Sequence, residues 1–181
     1  MSRVGNRPII INDGVSIAQS GKDLKISSNK GEMSFILPAD ISIEQSADRL
    51  LVKRVTDTKE ARSLHGLYAR LIANAITGLS HGIIKNLDFK GTGYRAKVES
   101  NKLILNMGYS HEISLDIPES IAVNVNKNTI SVSGYSSDIV GNFAAKVREV
   151  RKPEVYKGKG IKYSTETIKR KDGKAASGGK A

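Results

Sequence analysis

Residues 38–43 read Pro-Ala-Asp-Ile-Ser-Ile, and residues 118–123 read Pro-Glu-Ser-Ile-Ala-Val. Each stretch is a proline followed by alternating apolar and polar residues, which is the pattern of a strand with one buried face. A shift of 80 residues also aligns the strand pattern that follows, by placing Leu50 on Ile130 and Val52 on Val132. Because the matched positions are those expected to face a core, the repeat predicts an internal duplication.

The longer of two predicted helices covers roughly residues 58–79. Its apolar residues recur at spacings of three and four and therefore share one face. These residues are Leu64, Leu67, Leu71, Ile72 and Ala75. We expect the helix to end at Gly78, because glycine readily adopts the backbone conformation that closes a helix.

The second predicted helix covers residues 137–150, with Ser137 or Asp138 as its N-cap and Pro153 just beyond its end. Its apolar face comprises Val140, Phe143, Ala144, Val147 and Val150. A shift of 76 residues superimposes the two helices. The predicted fold class is α+β, with two similar domains, each an antiparallel sheet with one packed helix. We place the domains at residues 1–82 and 83–181, the second ending in a tail over residues 151–181.

The charge is strongly positive and unevenly distributed. The 181 residues contain 29 Lys and Arg against 18 Asp and Glu, a net charge of +11. Residues 83–181 have 18 basic and 10 acidic residues, and residues 146–174 alone have 11 and 4. Chains of this kind bind polyanions, so we expect the binding surface in the C-terminal half.

Several classes of protein are disfavoured by what the sequence lacks. There is no cysteine, so disulfides and thiolate metal sites are excluded. No apolar run approaches the roughly 18 residues of a membrane span, and the N-terminus resembles neither a signal peptide nor a transit peptide. We therefore expect a soluble cytoplasmic protein.

The most informative motif is the start of the tail, over residues 151–163, where cations alternate with glycines beside tyrosines. Lysine and arginine neutralise phosphates, glycine permits close backbone approach, and tyrosine can stack on a base. RNA contact is the favoured interpretation, and a solvated basic loop is the alternative. The candidate residues here and at the low-complexity end of the chain are Arg151, Lys152, Tyr156, Lys157, Gly158, Lys159, Gly160, Lys162, Tyr163, Lys169, Arg170, Lys171 and Lys174.

A second candidate segment surrounds Gly91 and Gly93. The pair precedes a strand pattern and lacks the third glycine of a dinucleotide fingerprint, so we predict a bulge or tight turn there, which can also present cations to RNA. The candidate residues are Lys90, Gly91, Gly93, Tyr94, Arg95 and Lys97.

No residue pattern indicates catalysis or a cofactor. The P-loop signature is missing, and His65, His81 and His111 lack the spacing of metal ligands, so packing or capping roles are expected for them. No carboxylate pair can be nominated as acid and base. We therefore predict neither catalysis, cofactor nor metal. A phosphate-handling enzyme that uses the Gly-Lys tail is a disfavoured alternative.

Several motifs together resemble the bacterial-type large-subunit ribosomal protein six family. They are residues 1–9, the helix motif at 61–66, the glycine motif at 91–96, Gly-Tyr-Ser-His at 108–111 and, most specifically, residues 151–163. Three positions depart from the family pattern: Val155 and Glu112 stand where the family has proline, and residues 137–139 replace Asp-Lys-Gln. The departures affect local turns and one basic contact.

The resemblance implies a structural component of the large ribosomal subunit. It implies contact with large-subunit ribosomal RNA mainly through the second domain, near the stalk base and the site where translational GTPases dock. Other ribosomal proteins would be neighbours, and the less basic first domain is expected to contact protein. A free-standing regulatory or chaperone-like RNA binder is the alternative.

Overall fold

The computed structural model describes residues 4–46, 48–171 and 173. In these residues the strands of the first half are β1 (Ile9–Ile10), β2 (Val15–Ser20), β3 (Asp23–Ser28), β4 (Gly31–Ile36), β5 (Ile41–Gln45) and β6 (Arg49–Arg54), followed by helix α1 (Lys59–His81). The second half contains β7 (Ile83–Lys90), β8 (Arg95–Glu99), β9 (Lys102–Asn106), β10 (Ile113–Asp116), β11 (Ile121–Asn126), β12 (Thr129–Gly134), helix α2 (Ser137–Val150) and β13 (Gly160–Tyr163). The α+β class is confirmed.

The chain divides into two compact units. The N-terminal unit comprises residues up to Ile83 together with Gly134–Ser137, and the C-terminal unit comprises Ile84–Ser133 and the residues from Asp138 onward. Each unit distributes its strands between two small sheets. The N-terminal unit has sheets β1-β6-β5 and β2-β3-β4, and the C-terminal unit has sheets β11-β12-β7-β13 and β10-β9-β8.

Equivalent hydrogen bonds support the duplication. The Ile41 amide donates to the Pro38 carbonyl at 3.1 Å, and the Ile121 amide donates to the Pro118 carbonyl at the same distance. The shift of 80 that aligns the strands therefore also aligns the turn that starts them. Ile41, Leu50 and Val52 and their counterparts at positions 121, 130 and 132 are all buried, as expected for repeated core positions.

The register predicted for the helices is wrong by one residue. Leu67 is 51% exposed, so it does not match the buried Phe143. A shift of 75 instead pairs buried positions: His65 with Val140, Ala69 with Ala144 and Ile72 with Val147. The prediction relied on three leucines of α1, whereas the buried positions of this helix are mainly alanines and isoleucines with one histidine.

The predicted span of α2 is confirmed, but the predicted end of α1 and the predicted cap of α2 need correction. α1 continues past Gly78 to His81, and Gly82 closes it with a φ of +81° and an amide hydrogen bond to the Gly78 carbonyl. Gly78 is required instead for close packing, since a Cβ there would lie 2.0 Å from the carbonyl oxygen of Tyr135. α2 begins at Ser137, so Ser137 and Asp138 lie in its first turn and do not cap it.

His65 has the packing role expected of it. It is 2% exposed, and its Nε2 lies 2.8 Å from the carbonyl oxygen of Val52, so this nitrogen carries the donated proton. The hydrogen bond joins α1 to β6 within the N-terminal core. No described helix has both the length and the apolar content needed to cross a membrane.

Strand β13 has no counterpart among the described residues of the N-terminal unit. It pairs antiparallel with β7, placing Ile161 opposite Phe89 and Gly160 opposite Lys90. Ile161 is completely buried, so this part of the tail belongs to the core of the C-terminal unit. The pairing places the residues that precede β13 at the end of β7, next to the turn at Gly91 and Gly93, and the residues that follow β13 near the start of β7.

Candidate nucleic-acid interface

The connection from α2 into the tail is held by tyrosine and arginine contacts. The Tyr109 hydroxyl donates to the carbonyl oxygen of Val150, the last residue of α2, at 3.0 Å. The Arg151 guanidinium lies 4.9 Å from the centre of the Tyr109 ring, which is within the range of a cation–π contact. A hydrogen bond to Tyr109, with a further contribution from Tyr94, raises the pKa of Arg151.

Backbone hydrogen bonds then fold the tail into a defined loop. The Ile161 amide donates to the Arg151 carbonyl at 2.8 Å, and the Glu154 amide donates to the Lys159 carbonyl at 2.8 Å. The Lys171 amide donates to the Val155 carbonyl at 3.0 Å, which returns the later part of the tail to the loop. The described tail is thus fastened at several points.

Two glycines of the tail permit close approaches. Gly158 has a φ of +68°, and a Cβ on it would lie 3.2 Å from a terminal nitrogen of Arg170. Gly160 has a φ of +134°, and a Cβ there would lie 2.7 Å from the carbonyl oxygen of Lys152. The Gly-Lys-Gly pattern therefore serves the folding of the loop as well as its surface.

The glycine turn packs around Tyr94. As predicted, residues 91–94 form a tight turn, in which the Tyr94 amide donates to the Gly91 carbonyl at 3.4 Å and Gly93 has a φ of +76°. A Cβ on Gly91 would lie 2.5 Å from the Tyr94 ring, and one on Gly108 would lie 3.1 Å from it. Both glycines thus make space for this ring.

Two adjoining grooves bring the turn and the tail together. The smaller groove, of about 300 Å³, is lined by Lys90, Gly91, Tyr94, Lys157 and Lys159, with Thr92, Phe89 and Asn128. The larger groove, of about 600 Å³, is lined by Lys90, Gly158, Gly160, Lys162 and Arg170, with Asp88, Glu166 and neighbouring residues. Phe89, Lys90 and Asn128 line both grooves. Lys90 of β7 and four cations of the tail therefore border this pair of adjoining grooves, which we call the depression.

The two acids of the larger groove are held by internal hydrogen bonds. Asp88 accepts from the Thr129 hydroxyl at 2.9 Å. Glu166 accepts from Arg148 Nε at 2.8 Å and from Arg148 Nη2 at 2.5 Å, and these bonds lower the pKa of Glu166. Among the described residues no ion pair neutralises Lys90, Lys162 or Arg170, so the charges of these three side chains can attract an external anion.

Other candidate residues lie outside the grooves. Lys97 pairs with Glu99 at 3.0 Å, and Lys152 lies 3.5 Å from Glu149. Arg95, Lys169 and Lys171 are exposed, as is Tyr156 at the loop tip, and Gly93 lies in the exposed part of the glycine turn. Tyr163 is half-buried, 6.0 Å below the Arg148 guanidinium. Lys174 lies outside the described residues.

Sequence reasoning missed Asn128, Arg148 and Glu166. Asn128 lines both grooves from the β11–β12 turn, a position that nothing in the sequence connects to the tail. Arg148 and Glu166 are 18 residues apart in sequence, and they form a pair because the turn after β13 brings Glu166 next to α2. Acidic residues are few in the basic tail, but nothing in the sequence distinguishes Glu166 from Glu154.

Comparison with known proteins identifies the family. The family described as Ribosomal protein L6 matches residues 90–164. The large ribosomal subunit protein uL6 of a Nostoc species is 47% identical over 181 residues, covering 99% of this chain and 100% of the relative. The chain belongs to the ribosomal protein uL6 family. The uL6 protein of Natranaerobius thermophilus is 45% identical, covering 96% of this chain and 98% of its own, and the Arabidopsis thaliana protein uL6c is 44% identical, covering 96% and 79%.

Membership in the uL6 family confirms the resemblance seen in the motifs. The residues of the family match contain the glycine turn, β13, nearly all of the smaller groove and half of the residues that line the larger one. The family is one of structural ribosomal components, so the expectation of a protein without catalytic activity agrees with it. Within the described residues, no three His, Asp or Glu side chains are arranged to hold a metal ion.

Proposed function

We propose that this chain is a structural constituent of the large ribosomal subunit, in the cytoplasm, and that its C-terminal unit binds large-subunit ribosomal RNA through the two grooves. Its relatives are named large ribosomal subunit proteins, which supports the ribosomal role. The observation that carries the RNA site is that Lys90, at the end of β7, borders the same depression as Lys157 and Lys159 of the tail.

The chemistry of the depression suits a sugar-phosphate backbone. Lysine and arginine side chains neutralise phosphates, and the glycines let the loop and the turn fold closely enough to place these cations side by side. Tyr94 contributes an aromatic wall, and Tyr156 is 55% exposed at the loop tip. Because most of these groups contact phosphate and sugar and few can read base edges, shape supplies most of the selectivity.

The proposed location within the subunit rests on the family resemblance. We place the bound RNA near the base of the stalk, beside the site where translational GTPases dock, with other ribosomal proteins as neighbours. We propose that the N-terminal unit, which has a smaller excess of positive charge, contacts other proteins. Crosslinking the protein in intact subunits and mapping the joined nucleotides and proteins tests this placement. Crosslinks confined to RNA remote from the stalk base would contradict it.

The salt dependence of binding to a large-subunit RNA fragment tests whether the groove cations contact phosphates. The depression offers Lys90, Lys157, Lys159, Lys162 and Arg170. With about five phosphates neutralised, log affinity should fall against log salt with a slope of about −4. An affinity that does not change with salt would show that these cations do not meet phosphates.

Charge reversal tests the tail directly. The double variant Lys157→Glu, Lys159→Glu should lose at least about tenfold in RNA affinity. Its matched control is Lys22→Glu, Lys59→Glu, which changes the net charge equally at exposed positions of the N-terminal unit. Equal losses in both variants would indicate a general charge effect.

Co-sedimentation with large subunits after a high-salt wash distinguishes a ribosomal component from a free-standing RNA binder. A ribosomal component remains with the large subunits.

A further inference from the structure

Glu166 lies on a cationic surface, where an acid opposes the binding of RNA. The described tail contains two acids that differ sharply in their contacts. The Glu154 side chain is exposed and has no hydrogen-bonding or ionic partner among the described residues. The Glu166 side chain is 24% exposed and is fully engaged. The two residues therefore provide an internal comparison between a free acid and a bonded one.

The Glu166 carboxylate joins three parts of the chain. The fork of Arg148, in the last turn of α2, donates to both of its oxygens. The Tyr163 amide, at the end of β13, donates to one of them at 3.2 Å. The Glu166 amide donates in return to the Tyr163 carbonyl at 2.9 Å. The bidentate pair is the strongest geometry available to an arginine and a carboxylate.

This arrangement determines where the chain leaves β13. The turn over residues 163–166 directs residues 167–170 along the larger groove, where Thr167, Ile168 and Arg170 form part of the wall. Lys162 Nζ also donates to the Glu166 carbonyl oxygen at 3.3 Å. The positions of two groove cations, Lys162 and Arg170, thus depend on a segment that Glu166 binds to α2.

We propose that Glu166 is a positioning residue of the RNA site, and that its contribution to holding Lys162 and Arg170 in place outweighs the repulsion its charge exerts on phosphate. The proposal rests on the function proposed above. It makes the unusual prediction that removing a negative charge from the RNA-binding surface weakens RNA binding. A purely electrostatic account predicts the opposite.

The test compares Glu166→Gln with Glu154→Gln, two variants with the same change of charge in the same tail. Affinity for the large-subunit RNA fragment is measured across a salt series, well below the unfolding temperature of each variant. We expect Glu166→Gln to bind about three- to tenfold more weakly, with a slope shallower by about 1 to 2, because Lys162 and Arg170 leave their phosphates. Glu154→Gln should bind equally well or slightly more tightly, with the wild-type slope.

The outcomes distinguish the inference from the function on which it rests. If Glu166→Gln binds as tightly as wild type, or more tightly, the positioning role is overturned while RNA binding stands. If the wild-type chain shows no salt-dependent binding, the proposed function itself fails. A role of Glu166 in stability alone would leave the slope unchanged, and this result would also overturn the positioning role.

A second variant, Arg148→Lys, serves if Glu166→Gln does not fold. It replaces the two-pronged guanidinium by a single ammonium at constant charge. We expect weaker RNA binding, and an affinity and slope equal to those of wild type would contradict the proposal.

Discussion

The backbone of Gly160 passes so close to Lys152 that a Cβ at position 160 would lie 2.7 Å from the Lys152 carbonyl oxygen. The φ of Gly160 is +134°, a region that other residues rarely adopt. We expect Gly160→Ala to destabilise the C-terminal unit by about 2–3 kcal/mol and to weaken RNA binding by displacing the loop over residues 154–159. Urea unfolding measures the first effect. The control is Gly173→Ala, where a Cβ meets nothing within 4 Å.

The two helical glycines at positions 78 and 141 should respond oppositely to alanine. A Cβ on Gly78 would lie 2.0 Å from the Tyr135 carbonyl oxygen, whereas a Cβ on Gly141 would meet nothing within 4 Å. We expect Gly78→Ala to cost more than about 2 kcal/mol. Gly141→Ala should stabilise by about 0.5–1 kcal/mol, because alanine has the higher helix propensity. Thermal unfolding followed by circular dichroism would show melting temperatures moving in opposite directions; a shift of the same sign in both would contradict this packing.

Acid should weaken the C-terminal unit through Glu166. Hydrogen bonding to Arg148 lowers the pKa of this carboxyl below its ordinary value of 4.5, so folding favours the charged form. Its stabilising contribution is complete above pH 4.5 and is lost as the pH falls through the lowered folded-state pKa. The free energy of unfolding of wild type should therefore decline more steeply below pH 4.5 than that of Glu166→Gln.

The comparison of wild type with Glu166→Gln also cancels the contribution of Asp57 to the pH dependence of stability. Its pKa is likewise lowered by a hydrogen bond from Arg62, and this pair is present in both proteins. The difference between the two pH profiles thus reports Glu166. Parallel profiles from pH 6 down to about pH 3 would mean that Arg148 and Glu166 do not interact in solution.

Lys90 should contribute to RNA binding although it lies about 60 residues before the tail in sequence. It borders both grooves, so Lys90→Gln is expected to lower RNA affinity by about three- to tenfold. Lys102→Gln is the matched control, since Lys102 lies on β9 and pairs with Asp116 at 3.3 Å. Filter binding at fixed salt compares them, and an equal loss for both variants would remove Lys90 from the proposed site.

Periodicity predicted the repeated strands well because their core positions are marked by β-branched and leucine residues. Ile41, Leu50 and Val52 and their counterparts all proved to be buried. The face of α1 was harder to predict. A leucine such as Leu67 can remain on the surface, while alanines such as Ala69 become buried wherever a helix approaches its sheet closely. Hydropathy alone does not distinguish these cases.

Gly78 and Gly160 show the same limit for glycine. At Gly78 the sequence suggested a helix end, but the residue accommodates a neighbouring backbone. At Gly160 the sequence suggested access for RNA, but the residue accommodates the chain's own carbonyl at position 152. In both cases the reason for glycine is a contact with a distant segment, which local patterns do not contain.

The sequence by itself determined the class of fold, the duplication, the family and the half of the chain that carries the cations, because apolar periodicity and charge are properties of neighbouring residues. Only the tertiary structure decided which cations meet. The pairing of β13 with β7 brings Lys90 beside the tail, and the reversal after β13 brings Glu166 to Arg148. Such pairings depend on how strands dock in three dimensions. The same charged residues could form many different surfaces, depending on how the chain folds.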